Sequence, residues 1–211
     1  LSFDSDDNDF KGELDFKPFY LISDLNFNYL DFNKIFRNDS ILLNILNSEI
    51  LNNQNLNAQF NFNVKKIKGI KNFESVVFKI FFEEGNILVK NSTLNWNDSV
   101  LINLKDIQIY NDKNKLFFSG NVVFDFLNTS KFYNFYQITR SYRKEIKSIE
   151  LDFLLDPYNK KIELDNVKID NNSNKSVDKY INKFNSKKAN IFNKFIYRNS
   201  IKSFFLNYDE G

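Results

Sequence analysis

The chain has 211 residues, 42% of them apolar, with 25 Phe and 10 Tyr, no Cys, Met or His, and a formal net charge of +2. This composition excludes wholesale disorder, a disulfide framework, imidazole or thiol catalysis and the commonest metal ligands. The near-balanced charge gives no general affinity for polyanions, and no run approaches the roughly 18 to 20 apolar residues of a membrane-spanning helix.

Because the first residue is Leu1, the sequence is expected to be a piece of a longer protein, in which any signal peptide or membrane anchor would lie upstream. Residues 1–12, LSFDSDDNDFKG, read as an acidic linker. Asp4, Asp6, Asn8 and Asp15 fall at calcium-loop offsets, but Asp9 stands where that loop's sharp turn requires Gly, so the linker is the better account of these acids. Two strands are expected between Glu13 and Asn33, with Leu14 and Phe16 alternating in the first and Leu25, Phe27 and Tyr29 in the second. Pro18 cannot donate a ladder hydrogen bond and marks a strand end or an edge. A short helix is expected over Phe32 to Leu46, carrying Ile35, Ile41, Leu42 and Ile45.

From Leu56 to Val64 the alternation is strict. Leu56, Ala58, Phe60, Phe62 and Val64 are apolar, while Asn57, Gln59, Asn61 and Asn63 are polar. Period two places successive side chains on opposite faces, so this strand has one dry face and one wet face. A meander follows from Val76 to Leu104, with turns at Glu83-Glu84-Gly85-Asn86 and Asn97-Asp98. Ile107 and Ile109 extend its third strand, directly or through a bulge. Leu116, Phe118, Val122, Phe124 and Phe126 form another strand, with a bulge or bend at Gly120.

The period then breaks. Thr129 or Ser130 is expected to cap a helix with Phe132, Phe135, Tyr136 and Thr139 on one side. A strand pair carries Ile149, Leu151, Phe153 and Leu155, then Ile162, Leu164, Val167 and Ile169, with a turn at Asp156-Pro157-Tyr158-Asn159 and a bulge near Asp165-Asn166. Residues 171–211 read as a linker and a helical tail. Ser176 is expected to cap a helix with Val177, Tyr180, Ile181 and Phe184 on its apolar face, and a second helix carries Ile191, Phe192, Phe195 and Ile196 and ends near Tyr208. Lys175, Lys179, Lys183 and Lys187 recur every four residues on the first. They read as a solvated face or as a surface for an anionic membrane or a partner.

No catalytic constellation emerges. Glu83-Glu84 is a solvated turn pair that nothing nearby in sequence would desolvate selectively. The basic and aromatic residues from Lys131 to Lys147 interleave as on any surface helix, so no nucleic acid is expected as a partner. No cofactor or metal is called for.

The order of features resembles the C-terminal region of AsmA-like proteins, related to TamB-like and YhdP-like envelope proteins. The resemblance rests on Gly12, Leu14, Phe16, Lys17, Pro18 and Phe19, on Asn55-Leu56-Asn57, on the run from Phe82 to Trp96, and on Phe132, Tyr133, Tyr136 and Gln137, and covers residues 12–170. It implies a periplasmic protein of the bacterial envelope, anchored in the inner membrane by an N-terminal segment that this chain lacks, whose apolar trough carries phospholipids between membranes. No catalytic residues come with it.

Together these readings predict a mainly β fold: a long curved antiparallel sheet forming an open groove over residues 13–170, with short helices and a helical C-terminus. The lipid-facing floor is expected at Phe60, Phe62, Phe78, Ile80, Phe82, Ile87, Val89, Ile102, Leu104, Phe124, Leu151 and Phe153. The expected function is non-enzymatic: shielding phospholipid acyl chains, in phospholipid transport or outer-membrane biogenesis, with an anionic membrane surface and envelope proteins as further partners. The alternative is a scaffold or assembly factor whose apolar face is packed as an ordinary core.

Overall fold

The computed structural model describes residues 2–5, 8–16, 19–30, 53–67, 73–112, 115–187, 190 and 193–209. Among them, eleven strands form one open sheet in sequence order. They are β1 (Ser2–Ser5), β2 (Asn8–Phe16), β3 (Phe19–Leu30), β4 (Asn57–Ile67), β5 (Phe73–Glu83), β6 (Asn86–Trp96), β7 (Val100–Asp112), β8 (Lys115–Phe126), β9 (Ser148–Asp156), β10 (Lys161–Ile169) and the two-residue β11 (Asn172–Ser173). Three α-helices follow or interrupt them: α1 (Thr129–Tyr136), α2 (Lys175–Ser186) and α3 (Lys194–Asp209).

The mainly β open sheet is the expected one, with two corrections. First, β3 and β4 run parallel, from Tyr20 opposite Asn57 to Leu30 opposite Ile67, so the sheet is mixed. Alternation is the same in parallel and antiparallel strands, and only the course of the connection sets the direction. The helix expected over Phe32 to Leu46 lies outside the described residues. Second, the N-terminal acidic stretch is not an irregular linker, because β1 and β2 pair there, Phe3 with Phe10 and Asp4 with Asp9.

The turns follow their sequences. Glu84 and Gly85, at φ 51° and 78°, make the two-residue hairpin between β5 and β6. Asn97 and Asp98, at φ 52° and 48°, carry the loop between β6 and β7, closed by a 3.0 Å bond from Ser99 N to Trp96 O. Asp156 accepts from Asn159 N at 2.9 Å and from Asn159 Nδ2 at 2.6 Å, fixing the turn into β10.

A row of irregularities crosses the middle strands. The register shifts at Asn91 in β6 and at Asp106 in β7, both at φ 49°, and each extra residue restores the inward face of the apolar residues beyond it. Ser92 is buried on the apolar face because its hydroxyl stitches this bulge: Oγ accepts from Lys79 N at 3.0 Å and donates to Lys90 O at 2.9 Å. The bend expected in β8 is met instead on β7, with Gly120 lying against it. A Cβ on Gly120 would stand 2.6 Å from Ile107 Cδ1 and 2.8 Å from Asp106 O. The bulge expected near Asp165-Asn166 is present in β10, with Asn166 at φ 50°.

The helices are capped one or two residues earlier than expected. Asn128 caps α1 by accepting from Lys131 N, and Asn174 caps α2 by accepting from Ser176 N and Val177 N. α1 ends at Tyr136, so Thr139 lies beyond it, and its buried residues are Tyr133 and Tyr136, with Phe135 exposed. α2 buries Val177, Ile181 and Phe184 as its period predicts. On α3, Phe195 is 81% exposed and Phe205 is the buried anchor at 2%; Ile191 and Phe192 lie outside the described residues. Residues 171–211 are no detached tail, since Val177, Ile181 and Phe205 belong to the same buried cluster as Trp96, Val100 and Ile149.

Candidate functional site

The apolar face of the sheet is set by register. Ala58, Phe60, Phe62 and Val64 of β4 stand opposite Phe82, Ile80, Phe78 and Val76 of β5, and the same parity continues through Ile87 and Val89, Ile107 and Ile109, and Val122, Leu151 and Phe153. On this face of β3, Leu21, Ser23, Leu25 and Phe27 meet β4. Ser23 is fully buried there and its Oγ has no hydrogen-bond partner, a local cost within an otherwise apolar surface.

Two halves of the face differ in what covers them. Under the helices, Trp96, Val100, Ile149, Val167 and Ile169 are buried against Tyr133, Tyr136, Val177, Ile181 and Phe205. Trp96 is the centre of this cap: its ring lies 5.8 Å from Tyr136 at 18°, and edge-on to Phe132 and Phe135 at 5.5 and 5.0 Å. The Arg198 guanidinium donates to Phe135 O at 2.8 Å and lies over its ring, tying α3 to α1. The second cluster, Ala58, Phe82, Ile87, Val89, Ile107, Ile109 and Leu116, includes no residue of the described helices.

The residues expected to form the floor divide in the same way. Phe82, Ile87 and Val89 are buried, in a cluster whose described members include no helical residue. Ile102, Phe124 and Leu151 pack against the cluster beneath the helices. The half-buried remainder is Phe60, Phe62, Phe78, Ile80, Leu104 and Phe153. Its centre is aromatic: Phe62 stacks on Phe78 at 4.3 Å and faces Phe27 at 6.3 Å, while Phe60 meets Phe82 edge-on at 5.5 Å.

The opposite face is wet and cross-linked by amides. Asn61 donates to Asp24 at 2.7 Å, Asn63 to Asn26 at 3.0 Å, and Asn103 to Asp125 at 2.7 Å. Asn166 and Asn121 both donate to Asp152, and their hydrogen bonds hold its carboxyl below the usual carboxylate range. Glu83, expected to be a solvated turn acid, pairs with Lys90 at 2.9 Å on this side. Two open clefts, of about 360 Å³ beside Tyr20, Phe81 and Glu83 and about 380 Å³ beside Asp152, Glu163 and Asn182, lie at the margins of the sheet. Among the described residues no group of acidic side chains is arranged to hold a metal ion.

Burial has a titration consequence in the cap. Tyr133 donates its hydroxyl to Lys144 O and Tyr136 shares a 3.0 Å hydrogen bond with Tyr197, and desolvation pushes the pKa of both hydroxyls well above the ordinary tyrosine value. A folded pKa above the unfolded one means that the stabilisation is complete below about pH 10 and is lost as pH rises through the folded values. Ionisation of Tyr133 and Tyr136 is therefore expected as a late step in the tyrosinate absorbance, coinciding with loss of the helical signal. A single step near pH 10 with the helices intact would contradict this packing.

Lys175, Lys179, Lys183 and Lys187 are all exposed along α2. Compared with family models, with curated proteins and with solved structures, the chain has no match in any of the three.

Proposed function

We propose that this chain is a non-enzymatic β-groove segment that shields phospholipid acyl chains, in an envelope protein similar to the AsmA-like family and held at the inner membrane by a segment upstream. The observation that carries the proposal is the apolar face outside the helical cap, where Phe60, Phe78, Ile80, Leu104 and Phe153 are half-buried on a cluster that no described helix joins, with Phe62 half-buried and stacked on Phe78. Moving an acyl chain of about sixteen methylenes out of a bilayer costs on the order of 13 kcal/mol at roughly 0.8 kcal/mol per methylene, and a continuous apolar trough offsets that cost along the path. A polar, amide-laced opposite face keeps the two solvents apart. A scaffold role, with the face packed as ordinary core, fits the half beneath α1, α2 and α3 and leaves the other half unexplained. Site-specific photo-crosslinking from Phe62 or Phe78 tests the proposal: a phospholipid adduct is expected, and its absence from both positions sinks it.

A further inference from the structure

We infer that the end of the sheet at β10, where α2 and α3 sit, docks on an anionic lipid bilayer. The sheet stops there by construction. Leu164 N donates to Asn185 Oδ1 at 3.1 Å and Asn185 Nδ2 donates to Leu164 O at 2.8 Å, so one side-chain amide takes both backbone groups that Leu164 would offer to a further strand. Beyond it, the two-residue β11 pairs antiparallel with Lys168 and Ile169. A trough built on this sheet therefore ends at β10 and the two-residue β11, and α2 packs against β10.

The helix is oriented by its apolar side. Val177, Ile181 and Phe184 are buried, and Tyr180 donates to Ser200 O at 2.8 Å, which holds α3 alongside. Lys175, Lys179, Lys183 and Lys187 are thereby left in solvent. Steps of four residues drift by roughly 40° each, so the ammonium groups form one ridge within about a third of the helix circumference. None of them is ion-paired among the described residues. α3 adds Phe195, the most exposed of the large hydrophobic residues among those described, at 81%. An acidic protein surface would satisfy the lysines and leave the phenyl ring in water. A bilayer with anionic headgroups takes both, the cations among the phosphates and the ring in the acyl boundary below them.

The inference draws its purpose from the groove proposal, but vesicle binding is read without acyl-chain capture, so the two can fail separately. Flotation of the protein with vesicles of phosphatidylcholine alone, or mixed with phosphatidylglycerol, is the test. Binding is expected only with phosphatidylglycerol and is expected to fall as salt rises. Combined Lys175→Glu, Lys179→Glu, Lys183→Glu and Lys187→Glu substitutions should weaken it by roughly tenfold or more, with unchanged circular dichroism because these side chains are exposed; the corresponding Gln set serves if charge reversal perturbs folding. Phe195→Ser should weaken it without altering its salt dependence. Equal binding to both vesicle types, binding to neither, or full binding by the lysine variants would overturn the inference, and binding to neither would favour a protein partner.

Discussion

Phe205→Ala is expected to destabilise the protein by about 3–5 kcal/mol, the range for removing a fully buried phenyl ring. The ring is 2% exposed and stands edge-on to Tyr133, Phe132 and Phe204 at 5.2, 5.7 and 5.3 Å, so it joins α3 to α1 at the point where both meet the sheet. Its loss leaves a cavity that these neighbours cannot fill without releasing the aromatic stack around Trp96. Urea unfolding of the variant should show a lowered midpoint with a closely similar slope. A loss below about 1 kcal/mol would mean that α3 is not part of the cooperative core.

Gly120→Val comes second, with an expected cost of about 3 kcal/mol, at the upper end for inserting atoms into a packed site. The nearest atoms to the new Cβ include the Asp106 carbonyl and the Ile107 Cα as well as a flexible side-chain tip. Backbone cannot swing aside as a side chain can, so relief would require undoing the β7 bulge. That would displace Asp106 and turn either Leu104 or Ile107 away from the apolar face. A variant as stable as the parent would show that the bulge is not held against β8.

Much of this fold was legible in the sequence because period two survives burial. Leu56 to Val64, Val76 to Phe82 and Ile149 to Leu155 announced their strands and their dry face, and Gly85 and Asn97-Asp98 announced their turns. The direction of β4 was not legible, since an alternating strand reads the same whichever way its neighbour runs. Helix starts were off by one or two residues because Asn, Ser and Thr all cap, and the geometry of the preceding strand chooses among them. In α3 the apolar residues surround the axis, from Phe195 and Ile196 to Phe204, Phe205 and Leu206, so periodicity could not single out Phe205. For the candidate site, alternation gave the apolar face but not the part of it that the helices cover. Ile102, Phe124 and Leu151 share the parity of Phe78 and differ only in lying where Trp96 draws α1 onto the sheet.

The lysine ridge was visible as a four-residue period, whereas the device that ends the sheet beneath it was not. Nothing in the composition of α2 distinguishes Asn185 from its other amides until the helix is laid against β10. Its two hydrogen bonds to Leu164 fix which edge of the sheet is closed.

Whether the apolar face that no described helix covers meets lipid is addressed most directly by one measurement. A photo-reactive residue is placed in turn at Phe62, Phe78 and Phe81 of the intact protein, which is then irradiated with phospholipid vesicles. Phe78 and Phe81 are phenylalanines of the same strand, both half-buried, on opposite faces of the sheet. The account predicts lipid adducts from positions 62 and 78 and none from position 81. Equal labelling at all three positions, or labelling at 81 alone, would contradict it.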